Sequence, residues 1–369
     1  MNDQSIEFEE LQASGGKVIG LARLNQPKAL NSISLAMIRA LHEKLNQWEN
    51  RPDIAAVLLE GAGEKAFCAG GDIVALYRSM TEHSDHRQSD EGVAFFTEEY
   101  ELDYQIHTYT KPIIVWGNGI VMGGGVGLLA GASYRVVTEN SRVAMPEVTI
   151  GLYPDVGASW FLNRMPGRSG LFLGLTGAHM NAADACFAGF ADRVIAHDHK
   201  AQVLDSLQRS EMLADRAHLA VSDVLREFEQ ESARVRPESE LRRLLDDINR
   251  LTDANTLSEI AARIAAYDGD EPLFQKAAKV VSAGSPTSMA IFERQLQETR
   301  HDSLAQVFEK ELKLSIRCLE KGEFAEGVRA LLIDKDKQPR WRYSSLEGMD
   351  QNWIDGFFRS RLNASIDRQ

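Results

Sequence analysis

Three consecutive glycines, Gly123, Gly124 and Gly125, constrain this chain more than any other feature. They lie in the stretch KPIIVWGNGIVMGGGVGLLAGASYRVVTENSRVAMPEVTIGLYPDVG, from Lys111 to Gly157. Ile113, Ile114 and Val115 read as a buried strand, Gly117 and Gly119 as a turn, and the residues after the glycine run as an apolar helix. A helix start without Cβ atoms lets another backbone or a ligand approach closely. Its first-turn N–H groups lack intrahelical acceptors, and the helix dipole favours negative charge beside them. These are the ingredients of an oxyanion hole. Further on, Met145-Pro146-Glu147 and Tyr153-Pro154-Asp155-Val156-Gly157 set two carboxylates beside residues that fix the chain direction.

Phosphate-binding turns share some of this composition, but their spacing fails here. In the dinucleotide fingerprint G-x-G-x-x-G begun at Gly117, Met122 occupies the last glycine position, and no G-x-x-x-x-G-K-[ST] occurs. G-x-S-x-G and H-E-x-x-H are also absent, so neither a serine triad nor a zinc site is signalled. Cys68, Cys186 and Cys318 are far apart and odd in number, which points away from a disulfide framework or metal cluster and towards a reducing, cytoplasmic setting. Cys68 beside a loop reads as a small hydrophobe. A net charge of −13 argues against nucleic acid or an anionic membrane as a main partner, so an anionic ligand needs a locally positive site. There is no 18-residue apolar run, and MNDQSIEFEELQ has neither a signal-peptide nor a transit-peptide pattern.

The pattern along the chain predicts an α/β core. Ile6 to Leu24 alternates as a hairpin around Gly15-Gly16, and a helix, SLAMIRALHEKLNQWEN, follows Ser32. IAAVLLEGA reads as a strand. GEKAFCAGGDIVALYRSM then carries Gly70-Gly71-Asp72 into another helix, with Asp72 as its N-cap. The polar segment Thr81 to Glu91 is expected to be an exposed loop, and its His83 and His86 are assigned no role. A helix spans about 92–109. Strand and helix alternation resumes after the central stretch and closes with LTGAHMNAADACFAGFADRVI. Beyond about His197 strands disappear. Helices are expected at QVLDSLQRSEML, SDVLREFEQESARV, SELRRLLDDINRL and SLAQVFEKELKLSIRCLEKG. The expected organisation is a core over 1–196 and a helical C-terminal region over 197–369 that packs on it; 369 residues with 44% hydrophobic content suffice for both.

LNQPKALNSIS, KAFCAGGDI, VWGNGIVMGGGVGL, AMPEVTIGLYPDVGASWFL, LTG, SPTSM and EGVRALLIDKDKQPRW together resemble the crotonase (enoyl-CoA hydratase/isomerase) superfamily over nearly the whole chain. The last motif points to its thioester-hydrolase branch. The resemblance implies a spiral of β-β-α turns, an acyl-CoA substrate in the core, no separate cofactor, and a monomer or the trimer or hexamer common in the superfamily. It implies an oxyanion hole from the N–H groups of Gly71 and Gly124. Hydratases of the superfamily use two glutamates. One of those positions is Gly127 here, leaving only Glu147, while Asp155 stands where hydratases commonly have glycine. The Glu and Asp combination matches the hydrolase branch, so hydrolysis of a 3-hydroxyacyl-CoA thioester is expected, with 3-hydroxyisobutyryl-CoA foremost. Glu147 would attack the thioester or activate water, and Asp155 would orient the 3-hydroxyl or assist proton transfer. Two carboxylates in a partly apolar pocket repel and desolvate each other, so one is expected to titrate high. Glu99, in FFTEEY, matches a substrate-contacting position; a surface helix glutamate is the alternative. A hydratase or isomerase, or a catalytically silent acyl-CoA-binding protein, are the competing functions.

Overall fold

Nine strands form two sheets in a computed structural model that describes residues 5–81, 90–213, 216–321 and 323–359. The strands are β1 (Ile6–Gln12), β2 (Val18–Leu24), β3 (Ile54–Gly61), β4 (Ala66–Cys68), β5 (Ile113–Gly117), β6 (Ile120–Met122), β7 (Tyr134–Val137), β8 (Arg142–Ala144) and β9 (Arg193–Val194). The larger sheet has the order β1-β2-β3-β5-β7-β9 and the smaller β4-β6-β8. After the β1-β2 hairpin, every pairing in the larger sheet is parallel. In chain order, β3 and β4 precede the helix Ile73–Thr81, and β5 and β6 precede the helix Gly124–Gly131. This is the repeating β-β-α turn of the crotonase fold.

The chain folds as two compact units. One comprises Met1–Gly71, Leu102–Val143 and Met180–Arg242; the other comprises Asp72–Glu101, Ala144–His179 and Arg243–Gln369. Each unit therefore draws on both 1–196 and 197–369.

Period-2 patterning builds the core of the first unit. Leu21, Leu58 and Ile114 lie in register across β2, β3 and β5, with Ile19, Ala56, Trp116 and Val136 in the same buried cluster. Val203 and Leu207 of the helix Lys200–Arg209 join that cluster. So do Val221, Leu225 and Phe228 of the helix Ala217–Glu231, at the spacing of one helix face. Each large side chain fully buried there is worth roughly 1.5–3 kcal/mol. The second unit is mainly helical, with the rings of Phe324, Phe96, Tyr100 and Phe308 in contact one after the next.

Several expectations shift in detail. The first long helix, Leu35–Glu49, is capped by Ser34, whose hydroxyl accepts from the Met37 N–H. Asp72 does cap its helix, accepting from Ala75 N–H at 3.0 Å. The helix expected over SELRRLLDDINRL is broken at Leu244 into Glu240–Arg243 and Leu245–Thr252. Helices Leu257–Ala265, Pro272–Ala283 and Pro286–Glu298 lie within the region expected to be helical, though their individual bounds were not singled out. His83 and His86 lie outside the described residues, as does most of the expected loop around them; Asp90 and Glu91 open the helix Asp90–Thr108. No helix among the described residues is long and apolar enough to cross a membrane.

Candidate functional site

Gly71 and Gly124 belong to the first unit, where two backbone segments are brought close. The loop LNQPKALNSIS straps the first segment in place. Asn31, in the left-handed region, donates to the carbonyls of Ala62 and Ala66 at 2.9 and 2.8 Å. The carbonyl of Leu30 accepts from Ala69 N–H, and Ile33 N–H donates to the carbonyl of Gly70. This last bond occupies the carbonyl before Gly71 and leaves the Gly71 N–H out of the bridge between Ile33 and Gly71.

The second segment is the glycine run. A Cβ on Gly125 would lie 2.3 Å from the carbonyl oxygen of Cys68, so only glycine admits this approach. A Cβ on Gly70, whose φ is +106°, would lie 3.2 Å from the Met122 carbonyl oxygen and 3.6 Å from the Gly124 nitrogen. Gly124 is the first residue of its helix, so its N–H belongs to the turn that has no intrahelical acceptor. The two segments form a cradle of backbone, with Cys68 buried against it as a small apolar residue. Gly127, where a hydratase glutamate would stand, faces the Asp103 carboxylate, which any side chain at this position would have to displace. A Cβ there would lie 2.4 Å from the Asp103 carboxylate.

Glu147, Asp155 and Glu99 belong to the second unit, and all three are only 4% exposed. Glu99 sits on the helix Asp90–Thr108, and its burial removes the surface-glutamate alternative. Glu147 opens the short 3₁₀ turn Glu147–Thr149 directly after Pro146. SPTSM pins that turn: Ser285 N–H donates to the Val148 carbonyl at 2.9 Å, and Ser285 Oγ donates to Glu323 Oε2 at 2.7 Å. The motif EGVRALLIDKDKQPRW folds back on itself, as Arg329 binds Glu326, Asp334 and Asp336.

Among the described residues, Glu147 Oε2 is buried and meets no hydrogen-bond partner. Such an orphan acceptor calls for a ligand or a functional explanation. Burial, and then the neighbouring Asp155 charge, push the Glu147 carboxyl well above the ordinary range. Burial likewise raises Asp155 to about 6, against the Tyr100 hydrogen bond that favours its charged form. Both carboxyls, not one, titrate high.

Asp155 is held by groups that the sequence did not single out. Tyr100 Oη donates to Asp155 Oδ2 at 2.6 Å and meets Ser315 Oγ at 2.7 Å. Tyr153 Oη lies 2.9 Å from Ser315 Oγ and 2.8 Å from the Glu311 carbonyl oxygen. The Glu311 carboxylate accepts from Gly157 N–H, Ser159 N–H and Ser159 Oγ at 2.7, 3.1 and 2.6 Å. Burial raises Glu311 to about 8, opposed by those three donors. Between Asp155 and this grip, Val156 has φ +53°, a conformation costing a β-branched residue roughly 1–3 kcal/mol. Glu311 and Ser315 carried one detectable signal. They lie on the apolar face of the helix Leu304–Lys321, among Val307, Phe308, Leu312 and Cys318, where a polar residue is out of pattern.

Chemically, the first unit offers backbone donors suited to a developing oxyanion. The second offers one unsatisfied carboxylate and one carboxylate oriented by a phenol. No group of three or more metal-ligating side chains occurs among the described residues.

Comparison with known proteins agrees with this architecture. The enoyl-CoA hydratase/isomerase family profile matches residues 19–358. The curated relatives include 3-hydroxyisobutyryl-CoA hydrolase, mitochondrial, of Danio rerio, 40% identical over 92% of this chain and 87% of that one. The Homo sapiens protein of the same name is 38% identical over 98% and 91%. Among solved structures, a carnitinyl-CoA dehydratase from Mycobacterium thermoresistibile is 33% identical, with a TM-score of 0.86 over 99% of both chains. An enoyl-CoA hydratase from Rhodobacter sphaeroides is 34% identical, with a TM-score of 0.80 over 95% and 96%. A profile spanning nearly the whole chain and relatives at this identity place the protein in the enoyl-CoA hydratase/isomerase family.

Proposed function

We propose that this protein hydrolyses a 3-hydroxyacyl-CoA thioester, foremost 3-hydroxyisobutyryl-CoA, releasing the 3-hydroxy acid and CoA in valine breakdown. The observation that carries the reading is Glu147: a buried carboxylate oxygen with no partner among the described residues, beside a second buried carboxylate. The names of the curated relatives support it. The Gly71 and Gly124 N–H groups would receive the thioester oxygen as it gains charge, each such donor being worth about 10²–10³ in rate. Glu147 acts as nucleophile or as base towards water. Asp155 accepts the substrate's 3-hydroxyl and shares in moving the proton that finally reaches the departing thiolate. Glu99 is proposed as a further substrate contact. Because these roles need only backbone donors and carboxylates, neither metal nor cofactor is required.

A hydratase or dehydratase is the second reading, favoured by the names of the two structural relatives. Gly127 weighs against it, since the second hydratase glutamate is missing there and the Asp103 carboxylate stands beside it. A silent acyl-CoA-binding protein has no need of a desolvated, unsatisfied Glu147. Purified protein incubated with 3-hydroxyisobutyryl-CoA, isobutyryl-CoA and crotonyl-CoA, with and without EDTA, separates the three. Free thiol from the first substrate, unaffected by EDTA, is expected. Water addition to crotonyl-CoA without thiol release would establish the hydratase instead, and binding without turnover the silent form.

For its compartment we propose the cytoplasm, on the strength of three free cysteines, two of them buried. The curated relatives are named as mitochondrial, and cell fractionation decides. Size-exclusion chromatography with light scattering distinguishes a monomer from the proposed homo-oligomer.

A further inference from the structure

Three buried hydroxyls run in line from Asp155 to the backbone of the helix Leu304–Lys321, and each is within hydrogen-bond distance of the next. Tyr100 Oη lies 2.6 Å from Asp155 Oδ2, Ser315 Oγ 2.7 Å from Tyr100 Oη, and Tyr153 Oη 2.9 Å from Ser315 Oγ. Tyr153 Oη also reaches the Glu311 carbonyl oxygen at 2.8 Å. Each hydroxyl has one hydrogen to give, and the chain can run in either direction with every donor placed. With Asp155 ionised, Tyr153 donates to Ser315, Ser315 to Tyr100, and Tyr100 to the carboxylate. With Asp155 protonated on Oδ2, Asp155 donates to Tyr100, Tyr100 to Ser315, and Ser315 to Tyr153. Tyr153 then turns its hydrogen to the Glu311 carbonyl. A mid-helix carbonyl already takes the N–H four residues on and has a second lone pair free, so it serves as a terminus in one state and needs nothing in the other.

We infer that Tyr100, Ser315 and Tyr153 are positioning residues forming a reversible hydroxyl relay, which lets Asp155 alternate between ionised and protonated forms during turnover without leaving a buried hydroxyl unsatisfied. Each hydroxyl keeps its own proton and only rotates. Over one cycle Asp155 gives one proton to the departing thiolate sulfur and regains one from the water consumed, so none is gained or lost by the chain. Without such a relay, one protonation state would strand a buried donor, at a cost comparable to the hydrogen bond itself. The titratable groups facing Asp155 are Glu147 from the 3₁₀ turn, Tyr100 from the helix Asp90–Thr108, Tyr153 on its own loop, and Glu311 and Cys318 from the helix Leu304–Lys321. The inference rests on the proposed proton-transfer role of Asp155.

The test follows the Asp155 carboxyl directly, by ¹³C NMR titration of protein labelled at the aspartate carboxyl carbon, with the resonance assigned by its loss in Asp155→Asn. Tyr100→Phe removes the only relay donor to the carboxylate, so its titration should move up by about one pH unit. Ser315→Ala leaves that donor in place but strands the Tyr100 hydrogen when Asp155 is protonated. An orphaned buried donor costs more than an under-used acceptor, so the midpoint should move down, by about half a unit. Ser315→Thr, which restores the hydroxyl, should return it to the wild-type value. Should Ser315→Ala not fold, Ser315→Cys, a weaker partner of similar size, should move the midpoint in the same downward direction. Ser315→Ala or Ser315→Cys shifting the midpoint upward like Tyr100→Phe, or leaving it unmoved, overturns the relay. The titration needs no turnover, so a wild type that hydrolyses nothing defeats the proposed function while the relay is judged separately.

Discussion

Gly124 and Asp155 are both buried candidate site positions, yet their surroundings are built by opposite means. Around Gly124 side chains have been removed: glycines allow the Cys68–Gly71 segment to approach the helix Gly124–Gly131, and backbone amides are the functional groups. Around Asp155 side chains have been added, from Tyr100, Tyr153, Glu311 and Ser315, spread over more than two hundred positions of the chain. A backbone cradle is rigid because its own secondary structure fixes it. A carboxylate in a desolvated site needs partners to hold its orientation and its charge. Substitutions should therefore behave differently in the two regions, with all-or-none loss at the cradle and graded, pH-dependent change at the cluster.

Glu147→Gln is the exception within the cluster and should have the largest effect. Its Oε2 has no partner to lose among the described residues, so the fold should persist while the reacting group is gone. A fall in kcat/KM of about 10²–10⁴-fold is expected from thiol-release kinetics, equally for substrates with and without the 3-hydroxyl. A fall below tenfold would deny Glu147 a chemical role. Gly124→Pro comes next. Proline suits the first helical position but has no N–H, so the helix should form and the rate should drop by about 10²–10³-fold. A folded Gly124→Pro protein of normal activity would remove Gly124 from the oxyanion hole.

Asp155→Asn should cost less on the preferred substrate and show its effect in selectivity. If Asp155 receives the 3-hydroxyl, the preference for 3-hydroxyisobutyryl-CoA over isobutyryl-CoA should fall by roughly tenfold. An unchanged ratio of kcat/KM values would sink the orienting role and leave Asp155 to acid/base chemistry or structure.

The two regions also differed in legibility. Each half of the cradle was local: strand, glycine run and helix lie within one stretch, Gly70-Gly71 leads into a helix within its own, and the Asp72 cap and the β1-β2 hairpin are equally short-range. Glu147 and Asp155 were marked by their prolines and glycines. Tyr100, Glu311 and Ser315 were not, because their function arises only when distant helices meet. Tyr100 looks like one more aromatic on a buried face, and Glu311 and Ser315 look like breaks in a helical stripe. The chain-order boundary at 196/197 followed the loss of strands, whereas the compact units follow contacts that the strand pattern does not encode. The family motifs located Glu99, but only burial separated it from a surface glutamate.

The smallest effect concerns stability. In the folded protein Asp155 is raised from 3.8 to about 6, chiefly by burial, so the fold prefers its protonated form. The sign follows from linkage: this contribution is fully present below the unfolded value near 3.8 and is lost as pH rises through about 6. The displacement amounts to roughly 3 kcal/mol if it is fully expressed. Asparagine resembles the protonated side chain and carries no such dependence, and removing the Asp155 charge also relieves Glu147. The melting temperature of Asp155→Asn relative to wild type should therefore rise between about pH 4 and pH 7, by a few degrees for a chain of this size. Scans at fixed ionic strength measure the gap. A gap that stays flat, or that widens against the variant at neutral pH, would mean that Tyr100 and its neighbours fully compensate the buried charge, and the cluster would then be as indifferent to pH as the glycine cradle.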